Sequence, residues 1–437
     1  MPNISDGRAK EILNALRRGT VPKRGLGALA VGLDRFAPTL LEELGLVKAG
    51  SSQFKALRGE YGSGKTFFSR WFQEQAQHLG FATSEIQISE TETPLHHLET
   101  VYRRFMEQMA TRELEHGAFR GLLDAWLFDV EETVSQGSDT DDSAFESAVA
   151  QAVEKRLKSI SDFAPLFAAG VRGYHRALLE QKDDVAEGLA AWLAGQPNVS
   201  ASVKRFAGLK GDIDHFGALT FLQGLLALLK DLGYAGLVVV LDEVETLQRF
   251  RRDGREKSLN ALRQWLDELD KGRFPNLYVL ITGTAAFFDG PKGIRGLPPL
   301  AQRLQTDFQT EARFDNPRAV QIRLSGFDLN RLIEVGVRVR HLFAQVSAHP
   351  DRIEQLANDD LLQRLARAIT GELGGQAGVA PRLFLKKWVA EVLDRVDQFP
   401  DFDPNTHYQL TVANHELSAQ ESAARAGNPL DDIDLEL

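Results

Sequence analysis

Eight consecutive residues, Gly59-Glu60-Tyr61-Gly62-Ser63-Gly64-Lys65-Thr66, carry the most specific chemistry in the chain. They satisfy the pattern G-x-x-x-x-G-K-[ST] in full. Glycines there let backbone N–H groups converge on phosphate oxygens without Cβ clashes, at a helix N-terminus whose dipole favours anions. Lys65 would reach the β- and γ-phosphates of a nucleotide, and the Thr66 hydroxyl would ligate Mg²⁺. A tight strand–helix turn has no need of Lys-Thr. The expected ligands are therefore ATP and Mg²⁺.

A second constellation lies far along the chain, in Gly236-Leu-Val-Val-Val-Leu-Asp242-Glu243. The apolar run reads as a central parallel strand buried on both faces. Its two terminal carboxylates fall where ligands bind in open α/β sheets. Asp242 would hold Mg²⁺, directly or through water, and Glu243 would polarise an attacking water. Glu245 reads as a solvated acid at a helix start. The following strand, from Leu277, ends in Thr282 and Thr284. Either hydroxyl could orient the water or touch the γ-phosphate, with Thr284 taken as the catalytic candidate; a capping role is the alternative for both.

These residues need a strand–loop–helix unit and further strands to bring them together. The spacing predicts a helix from Asp6 to Arg18, a Gly/Pro-rich turn, and a helix from Asp34 to Leu46 with Asp34 as its N-cap. Leu40, Leu41, Leu44 and Leu46 would form the apolar side of that helix. A short strand, Phe54 to Leu57, precedes the glycine loop, and a helix from Lys65 to about His78 follows it. Thr83 to Ser89 alternates like a strand, with Ile86 and Ile88 on one face. Residues 95–230 are helical in pattern, interrupted by the acidic linker Ser135 to Ser143. Strands return at Leu237–Leu241, Leu277–Thr282 and Val320–Leu324, with a helix around Lys257–Asp270 between the first two. Residues 327 to about 396 read as helical, with apolar spacing at Leu329, Leu332, Val335, Val339 and Leu342. The tail from Glu416 has six acids and one base and reads as poorly ordered. The expected fold class is α/β: a P-loop NTPase core with a parallel sheet, a helical insertion and a C-terminal α-helical region. The expected division is an N-terminal segment over residues 1–50 and an α/β core over 51–326, with its insertion at about 95–230. A helical region at 327–400 and an acidic tail at 401–437 complete it.

The 437 residues are 43% hydrophobic and 26% charged, as in ordinary globular proteins. There is no cysteine, which excludes disulfides, cysteine nucleophiles and thiolate metal sites. The first residues lack an apolar signal core, and the longest apolar runs fall far short of the roughly 20 residues that span a bilayer. A cytoplasmic protein with no membrane partner is expected. Net charge is −10, from 51 bases and 61 acids, so the whole surface is not a nucleic-acid footprint.

With these motifs in hand, the chain resembles AAA+ ATPases of the Orc/Cdc6-like group. It most resembles the ATP-binding proteins of BREX-type phage-defence systems (BrxD-like). The resemblance rests on ALRRGTVP with AVGLD, GEYGSGKTFF, ISETETPLHHLETVYR, VVVLDEVETL and GVAPRLFLKKW. It implies a pocket walled by the N-terminal segment, with Val21, Pro22, Val31 and Gly32 near the adenine. A structural turn is the competing reading for those residues. The resemblance also implies that the C-terminal α-helical region at 327–400 is a lid carrying a sensor-2 arginine, which Arg382 fits, since Pro381 can open a helix at its first turn. A surface arginine on an amphipathic helix is the alternative. A neighbouring subunit would supply an arginine finger; Arg303 occupies the expected region, and Arg295 and Arg313 compete with it. A homo-oligomer and other defence-system proteins are the implied partners.

Two departures from the Orc/Cdc6 pattern stand out. Lys65 and Asp242 lie 177 positions apart (242 − 65), which places an insertion between the second and third strands. From Ala110 to His215, 11 bases and 18 acids give a net −7 (11 − 18), which is not a broad DNA-binding face. Little sequence then remains after the lid for a winged-helix domain. DNA contact would have to come from the ATPase core, from a partner, or from local clusters such as Arg249-Phe-Arg-Arg252, for which a solvated helix face is the alternative. A nucleotide-gated signalling switch of STAND type, with slow turnover, is the competing function.

Overall fold

The computed structural model describes residues 4–136, 142–375, 378 and 380–427. Five strands form one sheet: β1 (Gln53–Arg58), β2 (Ala82–Gln87), β3 (Leu237–Asp242), β4 (Leu277–Gly283) and β5 (Gln321–Arg323). Their order is β2-β3-β4-β1-β5, and every pairing is parallel. β3 and β4 are buried at every position, as their β-branched and aromatic runs require of central strands. β4 comes to rest between β1 and β3, so the glycine loop after β1 and the acids after β3 flank its end.

Side chains along each strand alternate between two cores. Val239, Leu241, Val279 and Ile281 face a core shared with the insertion. Val238, Val240, Tyr278 and Leu280 face the other, against Phe68 and Phe72 of the helix Lys65–His78. Phe72 packs on Tyr278 with ring centroids 4.9 Å apart. Burial of each such phenylalanine contributes about 1.5–3 kcal/mol of transfer free energy, which fixes the helix, and the loop before it, against the sheet.

Among the described residues, the insertion comprises seven helices, from Leu98–Glu107 to His215–Asp231. The acidic linker's residues 137–141 lie outside the described residues, between helices Ala118–Ser135 and Asp142–Ser161. A third core is helical: Leu332, Val335, Val339 and Leu342 of Leu329–Val346 pack with Ile12, Leu13 and Leu16 of the first helix, Asp6–Arg17. Arg17 clamps that helix to Asp394 with two 2.7 Å hydrogen bonds. The N-terminal segment thus spans two bodies, its first helix on the helical region and its second on the sheet.

Three expectations give way. The second helix is Ala37–Lys48, and Phe36, not Asp34, precedes it without a side-chain cap. Leu33–Phe36 form a turn closed by the Phe36 amide on Leu33 O, which keeps Asp34 outside the helix. Of the four leucines expected on its apolar side, Leu40 and Leu44 are buried but Leu41 and Leu46 are exposed. The tail is ordered as far as Gly427; residues 428–437 lie outside the described residues. Its helix Ala419–Ala426 has a Ser418/Glu421 capping box and buries Ala424 in the helical core. Counting charge missed this, because the acids there have basic partners.

Candidate functional site

The glycine loop runs from the end of β1 to the helix Lys65–His78. Gly64 holds φ at 93° and precedes the helix with no side-chain cap, so the first-turn N–H groups are left for a ligand. Gly62 also has positive φ, and a Cβ on Gly59 would lie 2.4 Å from Ser63 Oγ. That hydroxyl is buried without a hydrogen-bond partner. A side chain at Gly59 would crowd Ser63, and the left-handed backbone at Gly62 and Gly64 disfavours one there.

Above it lies a cavity of about 390 Å³, lined by the loop, the N-terminal connection, the ends of the sheet and the helical region. Gly62, Ser63, Gly64, Lys65 and Thr66 border it, as do Tyr61, Asp242 and Glu243. Val21, Pro22, Val31, Gly32, Leu16 and Leu385 also line it. Glu74, on the helix Lys65–His78, accepts from the amides of Gly25 at 2.5 Å and Leu26 at 2.9 Å. Arg70 donates to Val21 O at 3.2 Å. The N-terminal connection is therefore tied directly to the helix that follows the glycine loop.

The acids gather through strand register. Gln87 ends β2 beside Asp242, and Thr282 lies on β4, next to β3. Thr282 donates to Asp242 Oδ1, and the Glu243 amide donates to the same oxygen at 3.1 Å and to Thr282 Oγ1 at 3.2 Å. Gln87 Nε2 donates to Glu243 Oε2 at 2.6 Å. Glu243 itself sits at φ 57°, a conformation that costs a non-glycine residue about 1–3 kcal/mol and aims its carboxylate. Burial pushes its pKa up, with Gln87 opposing.

Lys65 donates to Gly59 O at 2.9 Å and lies 3.6 Å from Glu245 Oε1. Glu245, expected to be solvated, is instead 5% exposed with no hydrogen bond to either oxygen. Fully buried Val244 and Leu247 pull its turn, Val244–Arg249, into the core. Burial pushes its carboxyl up to about 7, with Lys65 opposing.

Two other expected residues sit differently. Thr284 lies outside the cavity lining, and its hydroxyl caps the short helix Ala285–Asp289; the strand-end hydroxyl at the acids is Thr282. Arg303 is outside too, paired at 2.7 Å with both Asp267 and Asp270. Arg295 and Arg313 are exposed and pair with Asp289 and Glu311. Arg382 borders the cavity as the second residue of the helix Pro381–Lys387. Its guanidinium is held by the tail: Nε donates to Glu421 Oε1 at 3.1 Å, and Nη2 to Glu421 and to Glu416 O. In the basic cluster, Phe250 is buried, so its ring is not offered to a base, while Arg251 and Arg252 are exposed.

Sequence reasoning missed Gln87, Arg331, Arg35 and Glu421, of which the last three line the cavity. Gln87 had a usable signal, the C-terminal end of a predicted strand. The others have none, since charged residues on helices and loops carry no local mark of what they face. Among the described residues, no group of three or more His, Cys, Asp or Glu side chains could hold a metal ion. An ion here would need Thr66 and Asp242 together with phosphate oxygens, the usual manner of Mg²⁺. No helix among the described residues is long and apolar enough to cross a membrane. Searches of curated proteins and of solved structures return no match. The family model for the BREX system ATP-binding protein BrxC/D matches residues 4–412, and the chain belongs to that family.

Proposed function

We propose that this protein is an ATP-hydrolysing AAA+ component of the antiphage defence system, related to the Orc/Cdc6-like group, with a cytoplasmic location. Its nucleotide state would control assembly with copies of itself, with other defence proteins or with DNA. The observation that carries the reading is the pairing of Gln87 with Glu243 at the ends of β2 and β3, facing the loop that bears Lys65. Bound ATP and Mg²⁺ would supply the transferable phosphoryl group and the charge that stabilises its transfer. Thr66 and Asp242 would hold the metal ion, and the P-loop amides with Lys65 the phosphates. Glu243 would take the proton of the attacking water while Thr282 fixes Asp242. Val21 and Pro22, with Val31 and Gly32, would receive the adenine. Helices from 327 onward act as the lid that carries Arg382.

The experiment is a paired measurement of phosphate release and of mass by sedimentation, with ADP and with a non-hydrolysable ATP analogue, with and without duplex DNA. Steady turnover with an ATP-dependent mass change is expected. Tightly retained nucleotide with negligible turnover would favour the signalling-switch reading instead.

Arg382→Ala and Arg303→Ala should each lower turnover about tenfold, the loss of one charged contact, without preventing ATP binding. Arg303 would act across a subunit interface after leaving Asp267 and Asp270. Mixing Arg303→Ala with Lys65→Ala protein should then restore part of the hydrolysis, since one lends an intact pocket and the other an intact finger. No recovery at any ratio would remove the shared interface.

A further inference from the structure

At the phosphate end of the cavity, one ammonium faces three carboxylates: Lys65 against Asp242, Glu243 and Glu245. Asp242 and Glu243 are each hydrogen-bonded to the neighbouring strand. Glu245 is not, although it is 5% exposed, and its one compensating charge is Lys65 Nζ at 3.6 Å. Val244 and Leu247 account for the burial of this turn, but they do not require an acid between them. A carboxylate buried this deeply stays ionised only with a compensating cation beside it, and otherwise takes up a proton.

An ammonium has three donors. Lys65 directs them at Gly59 O at 2.9 Å, at Glu60 O at 3.5 Å and toward Glu245. Two donors therefore have carbonyl acceptors and the ammonium is ion-paired with Glu245, so an arriving phosphate must compete with these partners. The two carbonyls are neutral, so Glu245 is the charged rival for Nζ. Once Nζ turns to phosphate, Glu245 is left buried, uncompensated and close to further negative charge.

We propose that Glu245 is a positioning residue that acts through Lys65, holding the ammonium in the nucleotide-free state and competing with nucleotide phosphates for it. Affinity is thereby kept low enough for exchange. This rests on the reading of the cavity as the nucleotide site.

The test is calorimetric titration of the full chain at pH 8, above the value of about 7 to which burial raises the Glu245 carboxyl, with ATP and with ADP in the presence of Mg²⁺. Glu245→Gln should bind both about tenfold more tightly, which is roughly 1.4 kcal/mol. Glu245→Asp keeps the charge on a shorter stem and should fall between the two. Without nucleotide, the thermal midpoint of Glu245→Gln should equal or exceed that of the native chain, because a neutral amide needs no counter-ion. Unchanged or weaker binding by folded Glu245→Gln would overturn the inference, as would failure of both variants to fold, which would assign a structural role. Lys65→Ala separates the two ideas. Native affinity in that variant would sink the nucleotide-site reading itself; lost affinity there, without tightening in Glu245→Gln, would sink only the role of Glu245.

Discussion

Glu243→Gln is expected to lower steady-state phosphate release by about 10²- to 10⁴-fold, the usual contribution of a general base, while ATP binding survives. The amide is isosteric, and the φ of 57° that aims this side chain belongs to the backbone, so the geometry should persist. Gln87 can still pair with the amide oxygen, where it now donates to Oε2 at 2.6 Å. What disappears is the acceptor for the water's proton. Lys65, Thr66 and Asp242 are untouched, so the variant should accumulate with ATP bound and display whatever assembly ATP favours. Phosphate release and sedimentation with ATP are to be measured on the same preparation. Turnover within about threefold of the native protein would refute the role, because a general base matters far more. Lost turnover together with lost binding would make this carboxylate structural.

Lys65→Ala should reduce ATP affinity by at least about a hundredfold, because it removes the ammonium that the glycine loop sets in the cavity beside Asp242 and Glu243, and charged contacts of this kind are the strong ones. The structure adds a second consequence. Lys65 is 8% exposed and is the counter-ion of Glu245, so its removal strands a buried acid. Unfolding free energy should fall by about 1–3 kcal/mol, the cost of leaving a buried polar group unsatisfied. Combining Lys65→Ala with Glu245→Gln should recover much of that stability but none of the affinity. The two readouts are calorimetric titration with ATP and Mg²⁺, and urea unfolding of the single and double variants. Native affinity in Lys65→Ala would end the assignment of the loop. A double variant no more stable than the single would mean that Glu245 does not depend on Lys65.

Local pattern alone determined the glycine loop, the helix that starts at Lys65, the strand that ends at Asp242 and the helical character of the insertion and of residues beyond 327. Glycine conformations, apolar periodicity and proline positions act over a few residues, and the chain obeys them wherever it folds. Parallel β3 and β4 were legible too, because strands buried on both faces are apolar at nearly every position.

Only the tertiary structure decided which of these residues meet. Gln87 reaches Glu243 because β2 pairs with β3 in one register, across 156 positions of chain. Thr282, and not Thr284, reaches Asp242 because β4 pairs with β3, and Thr284 is spent on starting a helix. Glu245 looked solvated because an acid at a helix start usually is; Val244 and Leu247 bury it, and no local rule says how deep a turn will sink. The tail looked unstructured because its net charge was counted without its partners: Glu416 holds Lys387 at 2.9 Å and Glu421 holds Arg382, 29 and 39 positions away. Such contacts join segments whose separation in sequence carries no periodic signal. They form only when burial of the cores has already brought the backbones together, so the hydrophobic pattern foretells the frame and the packed frame selects the partners.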